Sequence, residues 1–458
     1  MKVVICGAGQ VGSSIAKYLA HERNDVTIVD SDQALIREIA DQLDVQSIVG
    51  HASHPTVLDQ AGLRDADLLI AVTASDEVNM MACLIAHSIF DVPTKIARVR
   101  EQSYLETKWS SIFNPDHLGI DAVISPEIEV AEAIHRRLEV PGAFDAVPLA
   151  DNLVTLVGVR CTATCPIINT PLRHLTTLFP DLHVSVIGIL RNDVKIIPND
   201  NEMMLPGDDV YFIADSAHLK RALAAFGHEE AEARRLVIVG GGNIGLCLAE
   251  LLAERNHGTE VKIIELNKDR AALVAGRLPN QVVIQGDALD PRILQEANIE
   301  GSETIVAVSN DDEVNILASL LAKRAGCQRS VTLINTSNYA PLVGSLGIDA
   351  VVSPRATTVS IILQHVRRGR IRGVHSLGDD FGELIEIEVL EASRLAGTSI
   401  RAAKLPKDVI IGALVRGKTV IIASGDTVIE PDDRVILFAA PQAVRHVERM
   451  FAVRLEFF

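Results

Sequence analysis

Aromatic residues are scarce. The 458-residue sequence has one Trp, four Tyr and eleven Phe, so its core has to be aliphatic. Val/Ile/Leu-rich runs such as Leu68-Leu69-Ile70-Ala71-Val72 suit strands buried on both faces, as in parallel sheets. Positive charge is also short: 43 basic against 60 acidic residues give a net charge of −17. That argues against a nucleic-acid carrier and against adsorption to an anionic membrane surface. No apolar run approaches the roughly 18–20 residues that span a bilayer, and Met1–Gly7 leads straight into a glycine loop with no signal-peptide pattern. The six cysteines sit scattered in apolar segments, as buried thiols do in a reducing compartment. Cys161 and Cys165 form a CxxxC with no second motif to complete a metal site, and read as packing.

Catalytic signatures are missing as well. There is no G-x-S-x-G elbow and no Tyr-x-x-x-Lys on a helix, and the GxxxxGK[ST] spacing occurs only as Gly412–Thr419, which begins inside the strand expected over Val409–Val415 and so is no P-loop. The fourteen histidines do not cluster as metal ligands do; the closest pair, His51 and His54, reads as solvated loop residues. No catalytic or metal residue is assigned.

What the chain does have is itself, twice. Lys2–Gly12 (KVVICGAGQVG) returns as Arg235–Gly245 (RLVIVGGGNIG), and Val49–Asp59 returns as Gln285–Leu294. Ala71–Asn79 (AVTASDEVN) returns as Ala307–Asn315 (AVSNDDEVN), and Leu118–Pro126 (LGIDAVISP) as Leu346–Pro354 (LGIDAVVSP). The matches are collinear, so the chain is a duplication. Each copy then changes pattern. Strands are expected over Asp151–Arg160, His183–Arg191 and Val210–Ala214, then a helix over Ala217–Phe226. Their echoes are Glu383–Leu390, Val409–Val415, Val435–Ala439 and Gln442–Met450. The turns Leu205-Pro206-Gly207-Asp208 and Glu430-Pro431-Asp432-Asp433 also correspond. The expected fold class is α/β: two Rossmann-like parallel-sheet domains, 1–140 and 234–368, each followed by a small α+β domain, 141–227 and 369–453. His228–Arg234 reads as the linker.

Gly7-Ala8-Gly9-Gln10-Val11-Gly12 is a G-x-G-x-x-G between an apolar strand, Val3–Cys6, and an amphipathic helix, Gly12–Ala20. The first glycine makes the tight turn, the second admits a pyrophosphate, and the third lets helix and sheet approach. The helix start offers N–H groups and partial positive charge to phosphates. Val26–Asp30 supplies a strand ending in Asp30, an acceptor for ribose hydroxyls that favours NAD(H) over its 2′-phosphorylated form. The second copy offers Gly240, Gly242, Asn243, Ile244 and Gly245, with Glu265 as the acid. Further pocket candidates at later strand ends are Gly50 and His51 against Gly286 and Asp287, and Thr73 against Ser309. Asp76 and Asn79 echo as Asp312 and Asn315; for Asp76 a helix cap and a ligand contact are both open. Arg98 and Arg100 could reach phosphate, whereas their counterparts are Leu333 and Asn335, so the two pockets differ in phosphate charge or ligand.

A pocket for a nucleotide with no apparatus to transform it favours nucleotide-responsive regulation. An NAD-dependent oxidoreductase is the alternative. A redox-sensing transcription regulator lacks both a helix-turn-helix and the right charge.

The order of the GAGQVG loop, Asp30, TASDEVN, LGIDAVISP and a small domain closing on Pro206-Gly207-Asp208, all repeated once, resembles the RCK/KTN family, the regulators of K⁺ conductance, from Met1 to about Phe451. The resemblance implies a tandem RCK-N/RCK-C protein binding NAD(H) and ATP or ADP. It implies a cytoplasmic homotetramer whose eight units form a ring. That ring would attach to the inner membrane through a potassium-translocating subunit of the TrkH/TrkG type. Relatives usually carry Asp where this chain has His51, while Asp287 keeps the pattern. Glu127 matches a position where some relatives bind a divalent cation; the repeat has Arg355, and a solvated helix start is the simpler reading. Arg367, Arg368, Arg370 and Arg372 form a basic cluster in an acidic chain, read as a solvated helix end or a contact to acidic partner loops.

Overall fold

The computed structural model describes residues 1–458 apart from 180–181, 193, 256–257, 337–338, 340–341, 344–345, 367–370, 378–380 and 452–458. Backbone packing gathers it into two units. One comprises Met1–Glu129 with Pro354–Gly369, the other Val130–Ser353 with Arg370–Phe458.

The first unit alternates strand and helix: β1 (Lys2–Cys6), α1 (Gln10–His21), β2 (Asp25–Asp30), α2 (Gln33–Gln42), β3 (Gln46–Val49), α3 (Pro55–Gln60), β4 (Leu68–Ala71), α4 (Asp76–Ser88), β5 (Thr94–Arg98), α5 (Gln102–Leu105) and β6 (Ala122–Ile124). All pairings are parallel, in the order β3-β2-β1-β4-β5-β6. This is the doubly wound Rossmann order, and it reverses between β1 and β4. Both faces are buried: Val4 and Leu69 point into one apolar cluster, Val3, Ile5 and Ile70 into the other. The continuous Val/Ile/Leu runs are the expected signature of such strands.

The second unit opens with most of α6 (Pro126–Glu139) and continues through β7 (Ala143–Leu149), β8 (Val154–Arg160), α7 (Leu175–Leu178), β9 (Val184–Arg191), β10 (Val194–Ile196), β11 (Asp209–Asp215) and α8 (Leu219–Ala225). The second Rossmann sheet follows with β12 (Arg235–Val239), α9 (Asn243–Arg255), β13 (Glu260–Glu265), α10 (Lys268–Arg277), β14 (Val282–Gln285), α11 (Pro291–Glu296), β15 (Thr304–Ala307), α12 (Asp312–Arg324), β16 (Arg329–Leu333) and β17 (Ala350–Val352). Its order, β14-β13-β12-β15-β16-β17, repeats the first sheet strand for strand. The last segment holds β18 (Ile371–Leu377), β19 (Gly382–Glu388), β20 (Thr398–Ser399), β21 (Val409–Arg416), β22 (Thr419–Ile422), β23 (Val428–Ile429) and β24 (Arg434–Ala439), then a helix, Val444–Phe451.

The long helices that end each Rossmann segment are exchanged. Val130, Ala131, Ala133, Ile134 and Leu138 of α6 are buried in the second Rossmann core, beside Leu236, Ile238, Leu246 and Ala249. Glu132 is held there by Arg255 at 2.8 Å. Conversely, Val359, Ile362, Leu363 and Val366, on the helix Pro354–Val366, are buried in the first core with Ile15, Ala16 and Leu19 of α1. Fully burying one such side chain stabilises by about 1.5–3 kcal/mol, so each core depends on a segment encoded in the other half. The sequence boundaries at 140 and 368 follow the order of elements; packing passes these two helices across.

The small domains are five-stranded antiparallel sheets, β10-β9-β11-β8-β7 and β18-β19-β24-β21-β22. They share a cluster in which Leu156, Ile187, Tyr211 and Ile213 meet Leu377, Phe381, Leu384 and Phe438. Glycines in register admit the partner sheet's side chains. A Cβ on Gly188 would lie 2.8 Å from Phe381, and one on Gly412 would lie 2.3 Å from Ile213. In each domain an arginine clamps the aspartate of the turn. Arg191 holds Asp208 at 2.9 Å and Arg416 holds Asp433 at 2.8 Å, and the aspartates themselves are buried.

Three local expectations change. The strand expected from Asp151 starts at Val154, because Ala150, Asp151 and Asn152 turn through left-handed backbone at φ 51°, 56° and 67°. Helix Ala217–Phe226 is a 3₁₀ turn, Ser216–His218, running into α8, and Gln442–Met450 likewise begins as a 3₁₀ turn at Pro441–Ala443. Strands β7, β10, β18 and β22 of the small sheets are additional. Pro148 lies in β7, which is an edge strand, where a missing N–H is tolerated. No helix among the described residues is long and apolar enough to cross a membrane.

Candidate functional site

The glycine loops sit where the two sheets reverse. Gly7 leaves β1 at φ +113°, donates its N–H to Val29 O at 2.8 Å, and has no room for a side chain: a Cβ would lie 2.9 Å from Thr73 N. A Cβ on Gly12 would lie 1.8 Å from Gly7 O. The second loop repeats this. A Cβ on Gly240, at φ +102°, would lie 2.9 Å from Ser309 N, and one on Gly245 would sit 1.9 Å from Gly240 O.

Gly9 is different. Its backbone, at φ −68° and ψ −174°, is extended and open to any residue. Nothing lies within 4 Å of where its Cβ would be, and the same holds for Gly242. Neither conformation nor internal packing asks for glycine at Gly9. It caps α1 without any side-chain hydrogen bond, so Gln10, Val11 and Gly12 begin a helix whose first-turn N–H groups have no side-chain cap. Asn243 and Ile244 open α9 in the same place.

The acids hold the loops. Asp30 Oδ2 accepts from Ala8 N at 2.6 Å and Oδ1 from Asp32 N at 2.9 Å. Glu265 Oε2 accepts from Gly241 N at 2.7 Å and Oε1 from Asn267 N at 2.8 Å. Each carboxylate oxygen keeps further acceptor capacity. At the next strand end, His51 is exposed, with Nδ1 2.8 Å from Ser53 Oγ and its ring centroid 5.1 Å from that of His54. Asp287 Oδ1 accepts from Leu289 N at 2.8 Å.

Thr73 and Ser309 are stapled by buried asparagines. Asn79 Oδ1 accepts from Thr73 N and its Nδ2 donates to Arg98 O at 2.9 Å. Asn315 does the same for Ser309 N and Leu333 O. Asp76 is not the cap of α4. Ser75 caps α4 through Val78 N, and Asp76 Oδ2 instead accepts Arg100 N and Glu101 N at 2.9 and 2.8 Å, fixing the chain beyond β5. Asp312 makes the matching strap to Asn335 N and Thr336 N.

Arg98, Arg100 and Glu127 form one electrostatic neighbourhood in the first unit. Arg98 is buried, and its Nη2 donates to Thr73 O at 2.7 Å while its Nε has no partner. Burial, with the Arg100 charge adding to it, pushes its pKa down to about 10. It stays charged at neutral pH and under-satisfied. Glu127 Oε2 is buried without a hydrogen-bond partner, and burial pushes its carboxyl up against the pull of Arg100 and Arg98. Unpaired buried polar atoms cost about 1–3 kcal/mol each, and these two lie at the ends of the adjacent strands β5 and β6. The second copy has a buried Leu333 and a half-buried Asn335 there.

Of the basic cluster, Arg372 pairs with Glu388; Arg367, Arg368 and Arg370 lie outside the described residues. Cys161 and Cys165 are buried free thiols. Among the described residues no group of three or more His, Cys, Asp or Glu could hold a metal ion. The sequence reading passes over Ser13 and Arg270, which donate to the loop carbonyls Ala8 O and Gly241 O at 2.8 and 2.7 Å. Comparing the two copies position by position would have exposed both, because Leu35 and Leu246 stand at the matching places.

The fold and the twin loops define a tandem dinucleotide-type protein, each Rossmann unit trailing a small antiparallel domain. Residues 3–126 and 236–354 match the TrkA-N domain family, and 156–227 and 384–452 the TrkA-C domain family. The chain is 52% identical over 458 residues to the Trk system potassium uptake protein TrkA of Azorhizobium caulinodans, with all of both chains covered. It belongs to the TrkA family. In fold it is similar to the GsuK RCK domain (TM-score 0.60, 18% identity, covering 99% of this chain and 95% of that one). The GsuK channel bound to NAD is similar too (TM-score 0.59, 18% identity, covering 99% and 79%).

Proposed function

We propose that this chain is the nucleotide-sensing regulatory subunit of a Trk-type potassium uptake system, and not an enzyme. The observation that carries the reading is the pair Gly9 and Gly242, glycines whose side-chain space is empty at the start of helices beside ribose-type acids. A diphosphate packed against those positions explains the glycines; no packing among the described residues does. Family membership supplies the potassium system. The likeness to a GsuK channel bound to NAD supports NAD(H) as a ligand of such a fold.

In this reading the diphosphate lies on Gly7–Gly12 or Gly240–Gly245, and Asp30 or Glu265 accepts from the adenosine ribose. His51 or Asp287 stands at the adenine side, and Thr73 or Ser309 at the far side. Arg98 and Arg100 give the first pocket cationic donors for a polyphosphate tail, so ATP or ADP suits it as well as NAD(H). Four chains bring eight Rossmann units, enough to close a ring. The ring sits on the cytoplasmic face of the inner membrane against a TrkH/TrkG-type potassium-translocating subunit. A nucleotide can bias that pore only by its differential affinity for two ring shapes, typically about 1–3 kcal/mol.

Asp30→Ala is expected to weaken NADH binding at the first pocket about tenfold, the worth of one charge-assisted hydrogen bond. Calorimetry on the full chain checks it; unchanged affinity and stoichiometry would remove Asp30 from the pocket. Bound NADH should also keep its near-ultraviolet absorbance when carbonyl compounds are added.

A further inference from the structure

Ala8 and Gly241 hold the same place in the two loops, and the carbonyl of each finds a different donor. Ser13 Oγ, from within α1, donates to Ala8 O at 2.8 Å. Leu246 replaces that serine in the second copy. There Gly241 O accepts instead from Arg270 Nε at 2.7 Å, and Arg270 Nη2 donates to Asn243 Oδ1 at 3.1 Å. Arg270 comes from α10, the helix after Glu265, and its first-copy counterpart is Leu35. Gly241 is therefore held from both sides, its N–H by Glu265 and its carbonyl by Arg270, each at 2.7 Å.

This pins a full positive charge across loop residues Gly241 and Asn243, with the open position of Gly242 between them. The two contacts engage two of the five N–H donors of a guanidinium. Each pocket thus carries arginine, but at opposite ends. The first has Arg98 and Arg100 at β5, and the second has none at Leu333 and Asn335 but has Arg270 at the loop.

The geometry points to Arg270 as the residue that reads the diphosphate of the second pocket, making it a site for dinucleotides of the NAD(H) type, recognised through the adenosine diphosphate they share. The inference rests on the nucleotide-binding function proposed above. A guanidinium fixed beside the loop is placed to give charge-assisted hydrogen bonds to diphosphate oxygens. The end of β16, with Leu333 and Asn335 in place of the two arginines, suits the phosphate-free riboside half of a dinucleotide better than a third phosphate.

The test uses the full chain carrying Gly9→Val, so that only the second pocket reports, with ADP-ribose and adenosine as probes. Arg270→Leu, which installs the first-copy residue, is expected to weaken ADP-ribose about tenfold to a hundredfold. Adenosine should change by less than about threefold, and the salt dependence of ADP-ribose binding should flatten as one charge is lost. Arg270→Lys should fall between. Equal losses for both probes would mean that Arg270 only braces the loop, and unchanged ADP-ribose affinity would mean that it touches no phosphate; either overturns the inference while leaving the pocket standing. No ADP-ribose binding before the Arg270 change would overturn the pocket and the inference together.

Discussion

Gly9→Val leaves the chain folded and strips nucleotide from the first pocket, whereas Gly12→Val, three residues on, damages the fold. The two glycines look alike in the sequence and differ in what surrounds them. At Gly9 the backbone is extended and no atom lies within 4 Å of the new Cβ, so the melting temperature should hardly move. A ligand's diphosphate would meet two methyl groups there, and affinity should fall at least about a hundredfold, because the phosphates lose the helix-start N–H groups on which binding depends. At Gly12 a Cβ lands 1.8 Å from Gly7 O, a backbone atom that cannot step aside without moving β1 from α1. Overpacking of that kind costs about 1–3 kcal/mol or more. Thermal melts and calorimetry on both variants separate the two outcomes. A destabilised Gly9→Val that still binds nucleotide would reverse the assignment.

Leu363→Ala should destabilise the first Rossmann unit, although the residue is encoded in the second half. Leu363 is fully buried among Ile15, Leu19 and Ile362. Truncating such a side chain costs about 2–5 kcal/mol, the spread depending on how far the cavity collapses. Hydrogen exchange should rise in α1 and β1 and stay unchanged in α9 and β12. Faster exchange in α9 instead would contradict the exchange of helices. For the same reason the halves should not be studied apart, since a chain ending at the linker would leave the apolar face of α1 without its cover.

Much of this was legible in the sequence because it is local. A glycine loop between an apolar strand and an amphipathic helix, with an acid closing the next strand, is written within about 30 residues, and the duplication confirmed the pattern by repetition. The helix exchange was not legible. Ile362 and Leu363 announce an apolar face, but two near-identical sheets offer that face the same partner, and periodicity does not choose between them. The straps from Asp76 and Asp312 were hidden for a related reason. An acid at the start of a helix suits a cap, and only the path of the chain beyond β5 shows backbone N–H groups arriving to use it. Arg270 was missed because it lies on a helix surface where an arginine is unremarkable. Its partners, Gly241 O and Asn243, are a strand and a helix away in the chain.

The most direct measurement is potassium flux through the reconstituted membrane subunit as NADH and ATP are titrated, with the Gly9→Val/Gly242→Val chain beside the unaltered one. Flux that responds to nucleotide with the unaltered chain and is indifferent to it with the double variant is the expected result. The same response from both chains would contradict it.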